Sequence, residues 1–193
     1  MLKPALQAAV LLALGVSVPT AWSAGDGKTA RIQVNNVAAG SAAFSHMGST
    51  TTVVTGSRNT IINYNRLSVN AGETLNFVQP DAASRVLNRI QGPEPTHVDG
   101  TLLSNGAVYL VNPAGVMFGH GAVVNVGRLF AAAAHLSDAD FLAGNNHFTG
   151  VSGAVLIRGV IAAQQAHLGG TRVAKLEEII TGKCGVATMT TRK

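Results

Sequence analysis

The segment Gly106–Gly121, GAVYLVNPAGVMFGHG, limits the fold more than any other part of the chain. Val108 and Leu110 point one way, and Val116 and Phe118 point the same way beyond Asn112-Pro113-Ala114-Gly115. Period-two alternation belongs to a strand with one side buried. Pro113 fixes one dihedral and Gly115 tolerates geometry closed to other residues, so the break between the two strands is a tight corner. Short strand, Asn/Gly corner and short strand recur along the chain. That grammar predicts a stacked β architecture rather than a pocketed enzyme.

The recurrence is specific. Ile61, Ile62, Tyr64, Leu67 and Val69 precede an Asn70-Ala71-Gly72 turn, and Leu75, Phe77 and Gln79 continue the alternation until Pro80. Val86–Ile90 is the next strand, Gly92-Pro93-Glu94-Pro95 the next corner, and Leu102 and Leu103 lead to Ser104-Asn105-Gly106. An Asn-Gly pair between apolar segments reads either as a hairpin turn or as a corner of a parallel solenoid. Val86 and Ala107 open successive strands roughly 20 residues apart, the interval of one rung of a parallel β-helix. Val155, Ile157, Val160 and Ile161 resume the pattern before Gly169-Gly170, and Val34 and Val37 suit an early strand or cap.

Three stretches depart from it. Leu129–Ala134 suits either a helix or a crowded β-helix interior, and Ser137 with Asp138 and Asp140 suits the cap of a short helix. Asn145–Thr149 reads as a loop. Beyond Val173 the charges of Lys175, Glu177, Glu178 and Lys183 interrupt the rhythm, and Leu176, Ile179 and Ile180 read as one face of a short helix or as part of a tail.

Residues 1–24 have the parts of a secretory signal peptide. Lys3 precedes an apolar run over Ala8–Val18, and Pro19 and Ala21-Trp22-Ser23 follow. The run is shorter than the ~20 residues of a spanning helix. Residues 25–173 read as one domain, and 174–193 as an irregular or truncated tail. Charged residues make up only 12% of the chain and glycine is abundant, a composition that repetitive β-structure tolerates.

The net charge is +5, but Arg58, Arg66, Arg85, Arg89 and Arg128 are spread singly, so no nucleic-acid partner is expected. Cys184 is the one cysteine, which precludes an intrachain disulfide. His46, His97, His120, His135, His147 and His167 are isolated from one another, so neither metal nor cofactor is expected. The chain lacks a phosphate-binding glycine loop and a nucleophile elbow. Polysaccharide-cleaving enzymes share the β-helix, yet the sparse Asp, Arg and Lys here do not make a catalytic groove. No catalytic residue is assigned.

From Asn59 to Ala134 the chain resembles the N-terminal secretion domain of filamentous haemagglutinin-like exoproteins, the two-partner secretion or haemagglutination activity domain. The resemblance rests on Ile62-Asn63-Tyr64 with Leu67 and Val69, on Gly72–Pro80 leading into Val86–Ile90, and on Gly100–Leu129 with its Val111–Gly119 core. It implies a right-handed, single-stranded parallel β-helix with an N-terminal β cap and short extra-helical hairpins. It implies a non-enzymatic recognition role: a partner outer-membrane transporter of the Omp85 type engages the domain through periplasmic domains, after the general secretion machinery has delivered it. The exoprotein then reaches the medium or cell surface, where it meets host or neighbouring cells. Asn63, Asn76, Gln79, Asn88, Asn112, Pro113 and Gly115 fall in the signature region. The Asn112 side chain can bond its own backbone, so this corner is expected to be chiefly architectural. Ala114 stands where the family carries a second asparagine. The alternative is a short surface adhesin or matrix protein without a dedicated transporter.

Overall fold

The structure, a computed structural model, describes residues 31–175 and 179–181. The expected signal peptide at 1–24 and Cys184 lie outside the described residues. Strands β1 (Ile32–Ala39) and β2 (Ala42–Met47) come first, followed by a coil of parallel turns. The first turn is β3 (Thr50–Thr55), β4 (Asn59–Leu67) and the bridge residue Val69. The second is β5 (Thr74–Val78), β6 (Arg85–Ile90) and β7 (Thr96–Val98). The third is β8 (Thr101–Val111) and β9 (Val116–Phe118), and the fourth is β10 (Val123–Ala132) and β11 (Ala154–Ile157). The fifth is β12 (Val160–Gly169) and β13 (Arg172–Lys175), after which β14 (Ile179–Thr181) opens a sixth.

Every pairing between successive turns is parallel, which makes this a parallel β-helix with three faces. Face one stacks β3, β5, the first halves of β8, β10 and β12, and β14. Face two stacks β4, β6 and the second halves of β8, β10 and β12. Face three stacks Val69, β7, β9, β11 and β13. Inward side chains form ladders along the coil: Leu75, Leu102, Val124 and Ile161 on face one, Val86, Val108, Leu129 and Ala166 on face two, Val98, Phe118 and Ile157 on face three. All are buried in one cluster. Each buried Val, Leu, Ile or Phe side chain contributes about 1.5–3 kcal/mol, so the fold is held by repetition of one modest term.

Asn105-Gly106 does not reverse the chain. Strand β8 passes through it without a break, the solenoid-corner outcome, and carries one residue more than β10 there: Ser104 pairs with Val126, then Ala107 with Arg128. Gly127 lies opposite, where a Cβ would sit 3.0 Å from the Gly106 carbonyl oxygen, tighter than an ordinary contact.

The alanine run belongs to the interior. Leu129–Ala132 continue β10, and Ala133 and Ala134 are buried behind it. Helix propensity loses here to strand pairing on both sides. Ser137 does cap a helix, α1 (Asp138–Ala143): its Oγ accepts from the Asp140 amide at 3.0 Å, and Gly144 ends the helix in the left-handed region. This helix belongs to an excursion over 133–152 that leaves the coil after β10 and returns where the Ser152 amide donates to the Ala133 carbonyl at 3.0 Å. Ile179 and Ile180 do not line a helix face. They lie in β14 and pair with Ile161 and Ala162.

At the N-terminal end β1 pairs antiparallel with β4, and β2 pairs antiparallel with β3. Together they cover the strand edges that the first turn would otherwise leave open on faces one and two.

Candidate recognition corner and its surroundings

The Asn112–Gly115 corner joins face two to face three in the third turn. Asn112 is fully buried. Its Nδ2 donates to the Glu94 carbonyl at 2.9 Å and to Thr96 Oγ1 at 3.0 Å, both in the preceding turn. Its Oδ1 accepts from the Ala114 amide at 2.9 Å, an Asx turn. Its backbone amide donates to the Ala132 carbonyl at 3.0 Å, in the following turn. Gly115 has φ +126, and a Cβ on it would sit 3.1 Å from the Ala154 carbonyl oxygen. The Pro113 carbonyl accepts from Ser152 Oγ at 2.9 Å. One corner thus ties three consecutive turns together, and Ala114 is the residue it exposes.

Gln79 holds the corner between faces one and two. Its backbone amide donates to Asn105 Oδ1 and its carbonyl accepts from Asn105 Nδ2, each at 2.8 Å. The Asn105 amide thereby pairs like a strand backbone where β8 carries its extra residue. Gln79 Nε2 donates to Ser104 Oγ at 2.8 Å and to the Ala107 carbonyl at 3.1 Å. A side chain at Gly106 would collide with it, since a Cβ there would lie 2.7 Å from Gln79 Nε2.

The remaining signature residues do not converge on these corners. Asn88 points into the coil, fully buried, and donates to the Tyr109 carbonyl at 3.1 Å. Asn63 points outward on face two and donates to Asn36 Oδ1 of β1 at 3.0 Å. Asn76 is a half-exposed residue on the outward side of face one, next to Thr52 and Leu103 in register. Asn105, Ser104, Thr96 and Asn36 complete the polar framework; Ser104 and Asn105 read as a corner in the sequence, and nothing there singles out Thr96 and Asn36. Stacking brings Gln79 and Asn105 together: Phe77 pairs with Ser104, which places Asn105 and Gly106 beside Val78 and Gln79 of the preceding turn.

The outward side of face two is covered. Ile61, Leu87, Tyr109 and Phe130 form an apolar ladder there, buried under Leu136 and Phe141 of the excursion, with Phe148 and Ala39 against its margin. Tyr109 stacks on Phe130 with centroids 4.1 Å apart, and Phe130 on His167 at 4.6 Å. Phe141 meets Tyr109 edge-on at 5.2 Å, and the Arg85 guanidinium lies 5.1 Å from the Phe141 ring centre. Burial pushes the Tyr109 hydroxyl above its ordinary range, though Arg85 opposes this. Burial, aided by Arg128, lowers the His167 imidazole below its ordinary value. Among the described residues, no three His, Cys, Asp or Glu side chains gather as metal ligands.

The fold and its corners define a capped parallel β-helix whose turns are laced together by Asn and Gln side chains. Residues 28–187 match the TPS secretion domain family, and the chain belongs to that family. It is a secretion domain and not an enzyme. The crystal structure of the HMW1 secretion domain from Haemophilus influenzae is similar, with a TM-score of 0.72 and 26% identity, covering 75% of this chain and 40% of that one. Two heme/hemopexin-binding proteins of Haemophilus influenzae are 36% identical over 99 residues and 34% identical over 80 residues. These stretches are 51% and 42% of this chain, but only 11% and 9% of the relatives.

Proposed function

We propose that this domain is the address by which an outer-membrane transporter of the Omp85 type takes an exoprotein from the periplasm. Residues 1–24 serve as the signal peptide on this reading, and the exported domain is secreted or displayed at the surface. Membership of the TPS secretion domain family carries the reading. The transporter's periplasmic domains engage the segment while it is extended or partly folded, and closure of the coil outside hinders its return. The signature residues act chiefly by shaping the coil. Asn112, Gln79 and Asn88 spend their side-chain donors on neighbouring turns rather than presenting them to a partner.

The test is co-expression with candidate transporters and measurement of the chain in the medium. Export should require one matching transporter. Equal export without any transporter overturns the proposal and favours a surface adhesin that needs no partner.

A further inference from the structure

Arg89 stands on the outward side of face two, between Asn63 of the first turn and Val111 of the third. Its guanidinium donates to the Leu136 carbonyl at 2.9 Å and to Asp138 Oδ1, both in the excursion. The same group reaches Asn63 Oδ1 at 3.4 Å, and Asn63 Nδ2 donates to Asn36 Oδ1 of the cap strand β1 at 3.0 Å. The side chain of Arg89 is only 19% exposed, against 49% for Asp138. Asn36 and Asp138 lie far apart in sequence and share no hydrogen bond. Arg89 and Asn63 are the links between them.

The cap and the excursion also share an apolar surface. Ala39 of β1 and Leu136, Phe141 and Phe148 of the excursion all pack on the ladder of Ile61, Leu87 and Tyr109. Neither cover contacts that ladder alone.

We propose that Arg89 is a positioning residue that couples the two covers, so that the cap is fastened fully only when the excursion has docked. A planar guanidinium carries five donors in a fixed fork and can hold a carboxylate, a carbonyl and an amide oxygen at once, which an ammonium on a flexible stem does not reproduce. The coupling makes the cap depend on a segment that follows about 100 residues later in the chain. This coupling is intramolecular and stands whether or not a transporter recognises the domain.

Amide hydrogen exchange on the purified domain reads both covers separately. In Arg89→Met, exchange should rise about 10-fold or more in 133–152 and also in 32–39, while the inward ladders of β8, β10 and β12 stay protected. Arg89→Lys should restore protection of the excursion more than that of the cap. Asn36→Ala and Asp138→Ala keep the coil intact even if Arg89→Met does not fold. In the natural background, their effects on cap opening should deviate from additivity by about 3-fold or more. A rise confined to 133–152 in Arg89→Met, or strict additivity of Asn36→Ala and Asp138→Ala, overturns the coupling.

Discussion

Faces one and two share three long strands, yet their outer sides are opposites. Strands β8, β10 and β12 run through both. On face one their outward residues are Thr101, Leu103, Val123, Asn125, Val160 and Ala162, and β3 and β5 add Thr50, Thr52, Val54, Thr74, Asn76 and Val78. None of these is charged. Met47, Val54, Val78, Val123 and Val160, nearly all the large apolar side chains exposed among the described residues, lie there. On face two the outward ladder carries Ile61, Leu87, Tyr109 and Phe130, and the excursion buries it. Side-chain size tracks the difference: the covered ladder carries two aromatic rings, whereas the exposed side carries none and is mostly Thr, Val, Asn and Ala, whose exposure forgoes less apolar burial.

Phe141→Ala should break this contrast most strongly. Truncating a buried Phe typically costs about 3–5 kcal/mol, because lost transfer energy and a residual cavity add. Denaturant unfolding monitored by far-ultraviolet circular dichroism measures it. A loss under ~0.5 kcal/mol, the scale of an ordinary surface change, would mean that the cover contributes little.

Asn112→Ala sharpens the comparison at the corner that leaves face two. It orphans Thr96 and the Glu94 carbonyl and removes the Asx turn, so a loss of about 1–3 kcal/mol is expected. Ala114→Asn, at the exposed tip of the same corner, should stay within about ±0.5 kcal/mol in the same unfolding assay. If secretion falls in Asn112→Ala while stability does not, the corner contacts a partner directly.

A pH titration tests the open end of the aromatic stack. The folded state holds the His167 imidazole below its ordinary value of 6.5, so below that pH the unfolded chain binds the extra proton more readily. Stability from this residue is therefore present above pH 6.5 and is lost as pH falls through the folded-state value. His167→Phe should keep the stack and flatten that part of the stability profile. An unchanged profile would place the sensitivity elsewhere.

The smallest effect belongs to the bare face. Val123→Thr replaces an exposed side chain by one of equal shape and should shift stability by no more than about 0.5 kcal/mol. A larger loss, seen as a lowered thermal midpoint, would show that face one is covered in solution.

The coil was legible in the sequence because its inward positions repeat. Val108, Leu110, Val116 and Phe118 keep one phase across a corner, and that phase puts all four in the same cluster. The Asn-Gly pair at 105–106 was ambiguous because local turn chemistry is the same for a reversal and for a rotation. Only pairing with β5, β6 and β10 separates the two. The alanine run was ambiguous because helix propensity is local and the interior that claims Ala131 and Ala133 is not. The role of Arg89 was not legible at all, since its partners at Asn63, Leu136 and Asp138 are brought together by stacking and by the return of the excursion.

Among the described residues, the arginine ion pairs have their arginines at one end of the coil. Arg31 with Glu73, Arg58 with Asp81, Arg66 with Glu94 and Arg89 with Asp138 all anchor on the approach to the first turn or on the first two turns. Arg128, Arg158 and Arg172, in the later turns, join none of the ion pairs among the described residues. The hydrogen bonds between turns lie along the coil axis, so a pull along that axis loads them one layer after another, like a zip rather than a shear joint. Under tension, the described coil should therefore yield turn by turn rather than all at once.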